Sequence, residues 1–401
     1  MKLKPHDPAL LRGLGSGGAA LAFGAGVIVP PAAPGSVERV PSARPAAVAR
    51  TSSAALTSSR SPDAFSLSTP VSPVSINPSA AGTRSVAVLA TRSLVIGPHD
   101  NLAQAIQSLR PGDVLRLLPG AYPLNTQLKV TAGLPSKRIQ VTAADPRHPP
   151  LIRGTMQMFD ATNWTLSHLR VQATVPKREA LTMAGGRSWR VANCEFFGAD
   201  RTGAFANVSI SNHGSTPPTA FEFVENRVHG AARKHFSADH NVYVNAIGGD
   251  LAHPGLIARN DIYNAPFGEN IKVGFGGDRH AGPIGLRIEH NTLHDALRQI
   301  LVHSGVRGIE IRRNLLVRSY GTHSNGAGIY LNELLHDSSV KIENNYGALL
   351  NGPLVAAYKP TRPSHFSSRG NILGPDPLLR SHSGRLTPEN PSALRYGSTA
   401  R

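Results

Sequence analysis

The sequence predicts an all-β chain wound as a parallel solenoid, on the strength of two repeats and one charge pattern. Four short segments, 240-HNVYVN-245, 269-ENIKVG-274, 298-RQILVHS-304 and 327-AGIYLNE-333, place Val242, Ile271, Ile300 and Ile329 at a constant separation of 29 residues. A fixed period of this length marks one supersecondary unit stacked on itself. Each segment alternates apolar and polar residues, as a strand does. A second motif, apolar-x-apolar-x-x-Asn, runs alongside: 221-FEFVEN-226, 286-LRIEHN-291, 309-IEIRRN-314 and 340-VKIENN-345, with looser copies 189-WRVANC-194 and 255-GLIARN-260. Its Asn positions, 193, 226, 260, 291, 314 and 345, are 23 to 34 residues apart, so the loops between strands differ in length. Asn tolerates left-handed backbone and its amide can bond to the next turn, which suits a stacked corner.

The polar positions of the second motif test the register. One row reads Arg287, Glu310, Lys341 and the other Glu289, Arg312, Glu343, with signs alternating in both. Parallel in-register strands bring such groups about 4.8 Å apart, where unlike charges attract and like charges repel.

The remaining elements follow in chain order. Lys2, Lys4 and Arg12 precede an apolar stretch from Ala19 to Val29, so residues 1–30 read as an export signal or a short anchor. Residues 31–90, rich in Pro, Ser and Ala, read as a disordered linker, because they hold few large apolar groups to bury. Leu102, Ala105, Ile106 and Leu109 share one helical face, predicting a helix over 101–110 that ends at Pro111-Gly112. Such a helix caps the open end of a stacked core. Strands are expected at 113–118 and 138–142, then the coils, with the folded part over 91–380 and a disordered tail over 381–401.

Lys and Arg number 42 against 25 Asp and Glu, giving a net charge of +17. This excess points to an anionic partner, an acidic polysaccharide or a nucleic acid. No helix-turn-helix, zinc-finger or RNA-binding signature is present and aromatic residues are sparse, so the polysaccharide is favoured and nucleic acid is not expected. Cys194, the single cysteine, excludes an internal disulfide and a paired-cysteine metal motif, and its apolar setting reads as a small buried hydrophobe.

The segment 101-NLAQAIQSLRPGDVLRLLPGAY-122 resembles the N-terminal cap and first strand of right-handed parallel β-helix proteins of the pectate-lyase-like superfamily, which includes the chondroitinase-B-like alginate lyases. The x-x-N-x-apolar coils resemble theirs too, and the resemblance covers residues 92–379. It implies a right-handed parallel β-helix with a capping helix. It leaves the activity open, since the superfamily holds lyases, hydrolases, epimerases and non-enzymatic binders.

If the 29-residue segments are strands, Val242, Val244, Ile271, Val273, Ile300, Val302, Ile329 and Leu331 point inward. The outward set is then Asn241, Tyr243, Asn245, Asn270, Lys272, Gln299, Leu301, His303, Tyr330 and Asn332. Tyrosines and amides suit sugar rings, so Asn241, Asn245, Asn270, Gln299 and Asn332 are expected to contact substrate. Lys272 is a candidate base, since a lysine near other cations has a lowered pKa; a solvated lysine paired with Glu269 is the competing reading. In β-elimination on a uronate the base removes the C5 proton. Arg298, or a calcium ion held by Asp239 and Glu269, would neutralise the carboxylate. Tyr243, Tyr330 or His303 would protonate the leaving oxygen. The lyases of this superfamily show a Lys/Arg pair with acidic calcium ligands, and Lys272 with Arg298 would be that pair. His240 reads as a structural residue at the strand start. The expectation is thus a secreted, periplasmic or cell-surface monomer acting as a lyase on an acidic polysaccharide. A uronate C5-epimerase and a non-catalytic polysaccharide binder are the alternatives. Hydrolysis ranks lower because no adjacent pair of carboxylates lies in the central columns.

Overall fold

The computed structural model describes residues 91–231, 239–274, 281–334, 337–358, 365–382 and 385–399. The expected leader and linker over 1–90 lie outside these residues. The described chain winds into a parallel β-solenoid. One 12-stranded sheet takes the strand of the Asn motif from each coil, and a 15-stranded sheet takes the rest. The 29-residue repeat is the register itself: Val242 pairs with Ile271, Ile271 with Ile300, and Ile300 with Ile329. All eight residues expected inside are buried in one continuous core that runs from Leu102 to Leu354. The charge rows also pair as expected, Arg287 with Glu310 and Glu310 with Lys341, Glu289 with Arg312 and Arg312 with Glu343. Arg312 Nε lies 2.6 Å from Glu289 Oε2.

The capping helix spans Leu102–Gln107. Asn101 caps it by accepting a hydrogen bond from the Gln104 amide, which satisfies one of the donors orphaned at a helix start. Leu102, Ile106 and Leu109 are buried and close the end of the core. The strand Val114–Leu117 follows, but it pairs on its other side with Ser93–Ile96, so the first rung precedes the helix.

The asparagine corner forms at five of the six expected positions, and only the first, Asn193, is offset by one residue. Asn226, Asn260, Asn291, Asn314, Asn345 and Asn371 form a ladder in which the side-chain oxygen of each accepts the backbone amide of the rung before. In the earlier coil Cys194, not Asn193, occupies this position, donating its amide to Asn226 Oδ1 at 3.0 Å. Asn193 sits one place earlier, at a left-handed residue (φ 54°), and so do Glu225, Arg259, His290, Arg313 and Asn344. The left-handed turn thus belongs to the residue before the ladder and is taken by whatever residue occurs there. Each non-glycine residue there costs about 1 kcal/mol, and the corner is stable because the buried amide bonds offset that cost.

The C-terminal segment corrects the expected disordered tail. Leu379–His382 and Arg385–Pro388 pair as an antiparallel hairpin, and a short 3-10 turn follows at Pro391–Ala393. This strap lies back along the solenoid. Ala393 and Tyr396 pack on Leu315, Val317, Tyr346 and Ala348, and the Ser398 amide donates to Thr292 Oγ1 at 2.9 Å. The outward row that reads Arg170, Glu195, Arg227 in earlier coils becomes Leu315 and Tyr346 here, and the strap buries that apolar stretch.

Asn291 donates its side-chain amide to Ile257 O and Asn314 Oδ1 and is fully buried. Asn291→Ala should therefore lower unfolding stability by about 2–3 kcal/mol in urea melts. Asn291→Asp should be at least as damaging, since a carboxylate places an acceptor against two acceptors. Equal stability of the wild type and both variants would show that the ladder does not hold the corner.

Candidate functional site

The candidate face is built from the later strand of each coil: Ala206–Ser211, His240–Val244, residues 269–273, residues 298–302, Ile329–Asn332 and Val355–Tyr358. Two of these belong to long strands, Asp261–Val273 and Thr292–Val302, whose mutual register shifts between Ala265 and Glu269. The chain bends at that irregularity, and the bend decides which side chains reach the surface.

Strict alternation places Asn241, Asn270 and Gln299 outside, and the structure corrects this. All three are fully buried. Asn207 donates to Asn241, Asn241 to Asn270, and Asn270 to Gln299, at 2.7–2.9 Å. The second amide hydrogen of each goes to a backbone carbonyl across the bend: Asn241 to Tyr263, Asn270 to His294, Gln299 to Val317. Each of these carbonyls lies one rung further on, so the amides tie each coil to the next and are not available to substrate. Asn245 and Asn332 are half-buried on the face itself.

The same bend brings residues three apart to one side. His240 lies beside Tyr243, with ring centroids 5.6 Å apart, and Arg298 Cζ is 5.0 Å from the ring centre of Tyr330. Beneath the face lies a buried charge network. Arg298 donates through Nε to Glu269 Oε1 at 2.9 Å and through Nη2 to the same oxygen, while its Nη1 reaches Asn325 Oδ1. His240 Nδ1 is 2.6 Å from Glu269 Oε2. Burial alone would raise the Glu269 carboxyl, but Arg298 and His240 hold it well below the usual carboxylate range. His240 is itself pushed down by burial, against the pull of Glu269.

This network changes two expected roles. Arg298 is 6 % exposed and engaged with Glu269, so it does not present a free guanidinium to a substrate carboxylate. Glu269 is sealed between Arg298 and His240 with no exposure, and Asp239 is buried as well. Calcium requires six to eight oxygen ligands; no cluster of three or more His, Cys, Asp or Glu suited to a metal occurs among the described residues. The residues present do not fit a calcium ion, because the main carboxylate already faces two nitrogen cations or donors.

What remains open is a compact set around Lys272. Lys272 is half-buried, and its Nζ lies 4.9 Å from the ring centre of Tyr243, which pairs with it in register. Burial lowers the Lys272 pKa and the Arg298 charge lowers it further, with Glu269 opposing both. Tyr243 is pushed up to about 12 by burial, with the Glu269 charge adding to it. His303 is pushed down to about 3, by burial first and the Lys272 charge second. It is therefore neutral at physiological pH. Asn332 Nδ2 lies 3.1 Å from His303 Nδ1; if the amide is the donor, the His303 proton sits on Nε2. Gly274 precedes His303 in its column with φ +85°, and a Cβ there would come within 3.2 Å of His303 Cβ. Glycine thus both permits the turn and leaves room for the imidazole. Further along, Leu301 and Tyr330 are buried with Ala327 and Ala356. Tyr330, expected on the open face, is 7 % exposed and packs as a core residue.

No protein-family model matches the chain, and no curated protein matches it. Solved structures that resemble it include a family 6 alginate lyase, AlyGC, with 14 % identity over 76 % of this chain and 56 % of that one and a TM-score of 0.45. The pectate lyase Pel9A shares 13 % identity over 70 % of this chain and 80 % of its own, also at 0.45. A mannuronic-acid-specific family 6 lyase from human gut microbiota shares 14 % over 71 % and 82 %, again at 0.45. The chain thus spans little more than half the length of AlyGC. No residue role is carried over from these enzymes, and the site rests on the chain's own geometry.

Two outcomes test this geometry. Glu269→Gln leaves a buried guanidinium without its carboxylate and should cost about 3–5 kcal/mol in denaturant melts. The His303 pKa falls on folding, from about 6.5 in an unfolded chain to about 3. The unfolded state therefore binds the extra proton, and the stability from this group is present above pH 6.5 and lost as pH falls towards 3. His303→Gln should flatten the melting temperature between those pH values; an unchanged profile would show that His303 is not held neutral.

Proposed function

We propose that this chain is a polysaccharide lyase that cleaves an acidic, uronate-containing polymer by β-elimination, with Lys272 as the base. The observation that carries the reading is the Lys272–Tyr243 pair: an amine whose pKa is lowered, beside a phenol whose pKa is raised to about 12, on adjacent rungs of one open face. A general base works best with a pKa near the operating pH, and burial moves Lys272 in that direction. A phenol held at about 12 stays protonated and is a donor matched to a leaving alkoxide.

In this reading the neutral Lys272 amine takes the C5 proton of the uronate. The C5–H electrons form the C4=C5 double bond, the C4–O bond breaks, and the leaving oxygen takes a proton from Tyr243. His303 is 9 % exposed and stays neutral, so it borders the site without competing for the proton. Asn245 and Asn332 supply polar groups for sugar hydroxyls. Arg298 acts from below, by holding Glu269 and adding positive charge beside Lys272. A polymer too large to cross a membrane places the enzyme outside the cytoplasm, in keeping with an export leader in residues 1–30.

Non-catalytic binding is favoured by one specific observation. Arg298 is committed to Glu269, so among the residues assigned to this face the ammonium of Lys272 is the charge that meets a carboxylate, and a charged amine is not a base. C5-epimerisation requires a proton donor on the opposite face of the sugar ring, and Tyr330, the other tyrosine of the column, is covered.

The purified chain should generate the ultraviolet absorbance of an unsaturated uronate from alginate or polygalacturonate, rising with pH through the lowered Lys272 pKa. Lys272→Ala should reduce this at least about 100-fold. Lys272→Arg keeps the charge and should retain polymer binding while losing elimination. Polymer binding without any new absorbance at any pH would replace the lyase with the binding reading.

A further inference from the structure

A second site lies at the asparagine corner. A cleft of about 580 Å³ opens there, lined by residues of several coils and by Arg385 from the C-terminal strap. Its outward row runs Arg170, Glu195, Arg227, Asp261 in register. Glu195 is shared: Arg170 Nε lies 2.5 Å away, His229 Nε2 3.1 Å and Arg227 Nη1 3.7 Å. One carboxylate thus serves two guanidiniums and an imidazole.

The next carboxylate does not restore the balance. Asp261 accepts from Leu386 N at 3.2 Å and from Ser398 Oγ, both on the strap, and burial raises its pKa. Arg385 enters the cleft from the same strap and donates to Asn193 Oδ1 and Glu225 O, which are neutral acceptors. Arg259 is exposed on its left-handed corner and pairs with no carboxylate among the described residues. Glu225 also lines the cleft, its carboxylate accepting from Asn193 Nδ2 at 3.1 Å, so the guanidiniums of Arg147, Arg170, Arg227, Arg259 and Arg385 face the carboxylates of Glu195, Glu225 and Asp261 and outnumber them.

We infer that this cleft binds a short stretch of anionic polysaccharide, whose carboxylate or sulfate groups are held by Arg259 and Arg385. The planar fork of arginine matches a two-oxygen anion better than an ammonium does. Arg385 bonds at the rungs of Asn193 and Glu225, and Arg259 stands on the rung after Glu225, so both guanidiniums border the same part of the cleft. Nucleic acid fits less well, since single strands are held by stacking on aromatic rings and no Phe, Tyr or Trp lines the cleft. The strap completes the site by delivering Arg385, so a segment that buries an apolar face also builds a binding surface. This inference does not depend on elimination at Lys272.

Fluorescence anisotropy with labelled oligogalacturonate and labelled heparin oligosaccharide tests it, using the full chain carrying Lys272→Ala so that catalysis plays no part. Adding Arg259→Gln and Arg385→Gln should weaken binding roughly tenfold or more and make it less sensitive to salt. Preference for one labelled glycan distinguishes carboxylate from sulfate recognition. Arg259→Gln alone serves as the second variant, because its exposed side chain makes no contact that folding needs, and it should weaken binding severalfold with an unchanged melting temperature. Unchanged affinity in both variants would overturn the site. Tighter binding of a labelled single-stranded DNA that depends on the same two arginines would reassign it to nucleic acid. The same two arginine substitutions placed in the chain that keeps Lys272 should leave elimination intact while cleft binding is lost, which separates this site from the one at Lys272.

Discussion

Each coil of the solenoid must turn through its own interior, and every turn carries backbone polar groups into a region without water. An unpaired buried amide costs a few kcal/mol, so the corners cannot close unless something bonds to them. Two amide ladders do this. One runs from Asn226 to Asn371 at the outer corner, and the other from Asn207 to Gln299 inside the bend. Every side chain in the ladders bonds to a neighbouring coil, and those between the ladder ends bond to both neighbours, so no coil is satisfied alone. The charge rows, the core and both candidate sites inherit their alignment from this coupling, because a slip of one residue would break every bond in both ladders together.

The register was legible in the sequence because parallel in-register stacking converts contact into a fixed separation. The same arithmetic reaches further than the apolar positions: Glu269 and Arg298 are also 29 apart and pair in register, so the buried ion pair could have been read from the repeat. What alternation could not show is the bend between Ala265 and Glu269. It interrupts the two-residue period, sends Asn241, Asn270 and Gln299 inward, and brings His240, Glu269 and Arg298 beside Tyr243, Lys272 and Tyr330. The offset at the coil of Asn193 and Cys194 has a related origin. Glu225, Arg259 and Arg313 all adopt the left-handed turn, so residue type gave no signal of where the turn lay. The strap had no periodic partner in the chain, and its composition matched that of a linker.

The charge network beneath the face couples stability to reactivity. Glu269 is stable as a buried carboxylate only because Arg298 and His240 face it, and breaking such a pair leaves a charge without compensation. Arg298 is therefore fixed in place, and its positive charge falls beside Lys272 whether or not substrate is bound. In the proposed reading, the charges of the site are already gathered before substrate binds. His303 is kept neutral by the same arrangement, since burial and the neighbouring ammonium both oppose its protonation.

One ammonium cannot serve at once as the base and as the counter-charge to the uronate carboxylate. Elimination at Lys272 therefore needs positive potential that comes from elsewhere. The basic excess of the chain offers one source, because clefts in a low-dielectric wall focus the field of distant charges. Residues 91–401 hold 34 Lys and Arg against 22 Asp and Glu, a net charge of +12, and in the proposed reading carboxylates bound along the polymer lie within that field even where no single guanidinium touches them. Screening weakens such a field beyond about 10 Å at 0.1 M salt, whereas a direct contact with an arginine would survive it. A polymer held also at the arginine cleft adds local attraction of the same sign. On this argument the carboxylate is stabilised by the field of the solenoid, and Lys272 is free to lose its proton because Arg298, fixed on Glu269, repels the charged form of the amine.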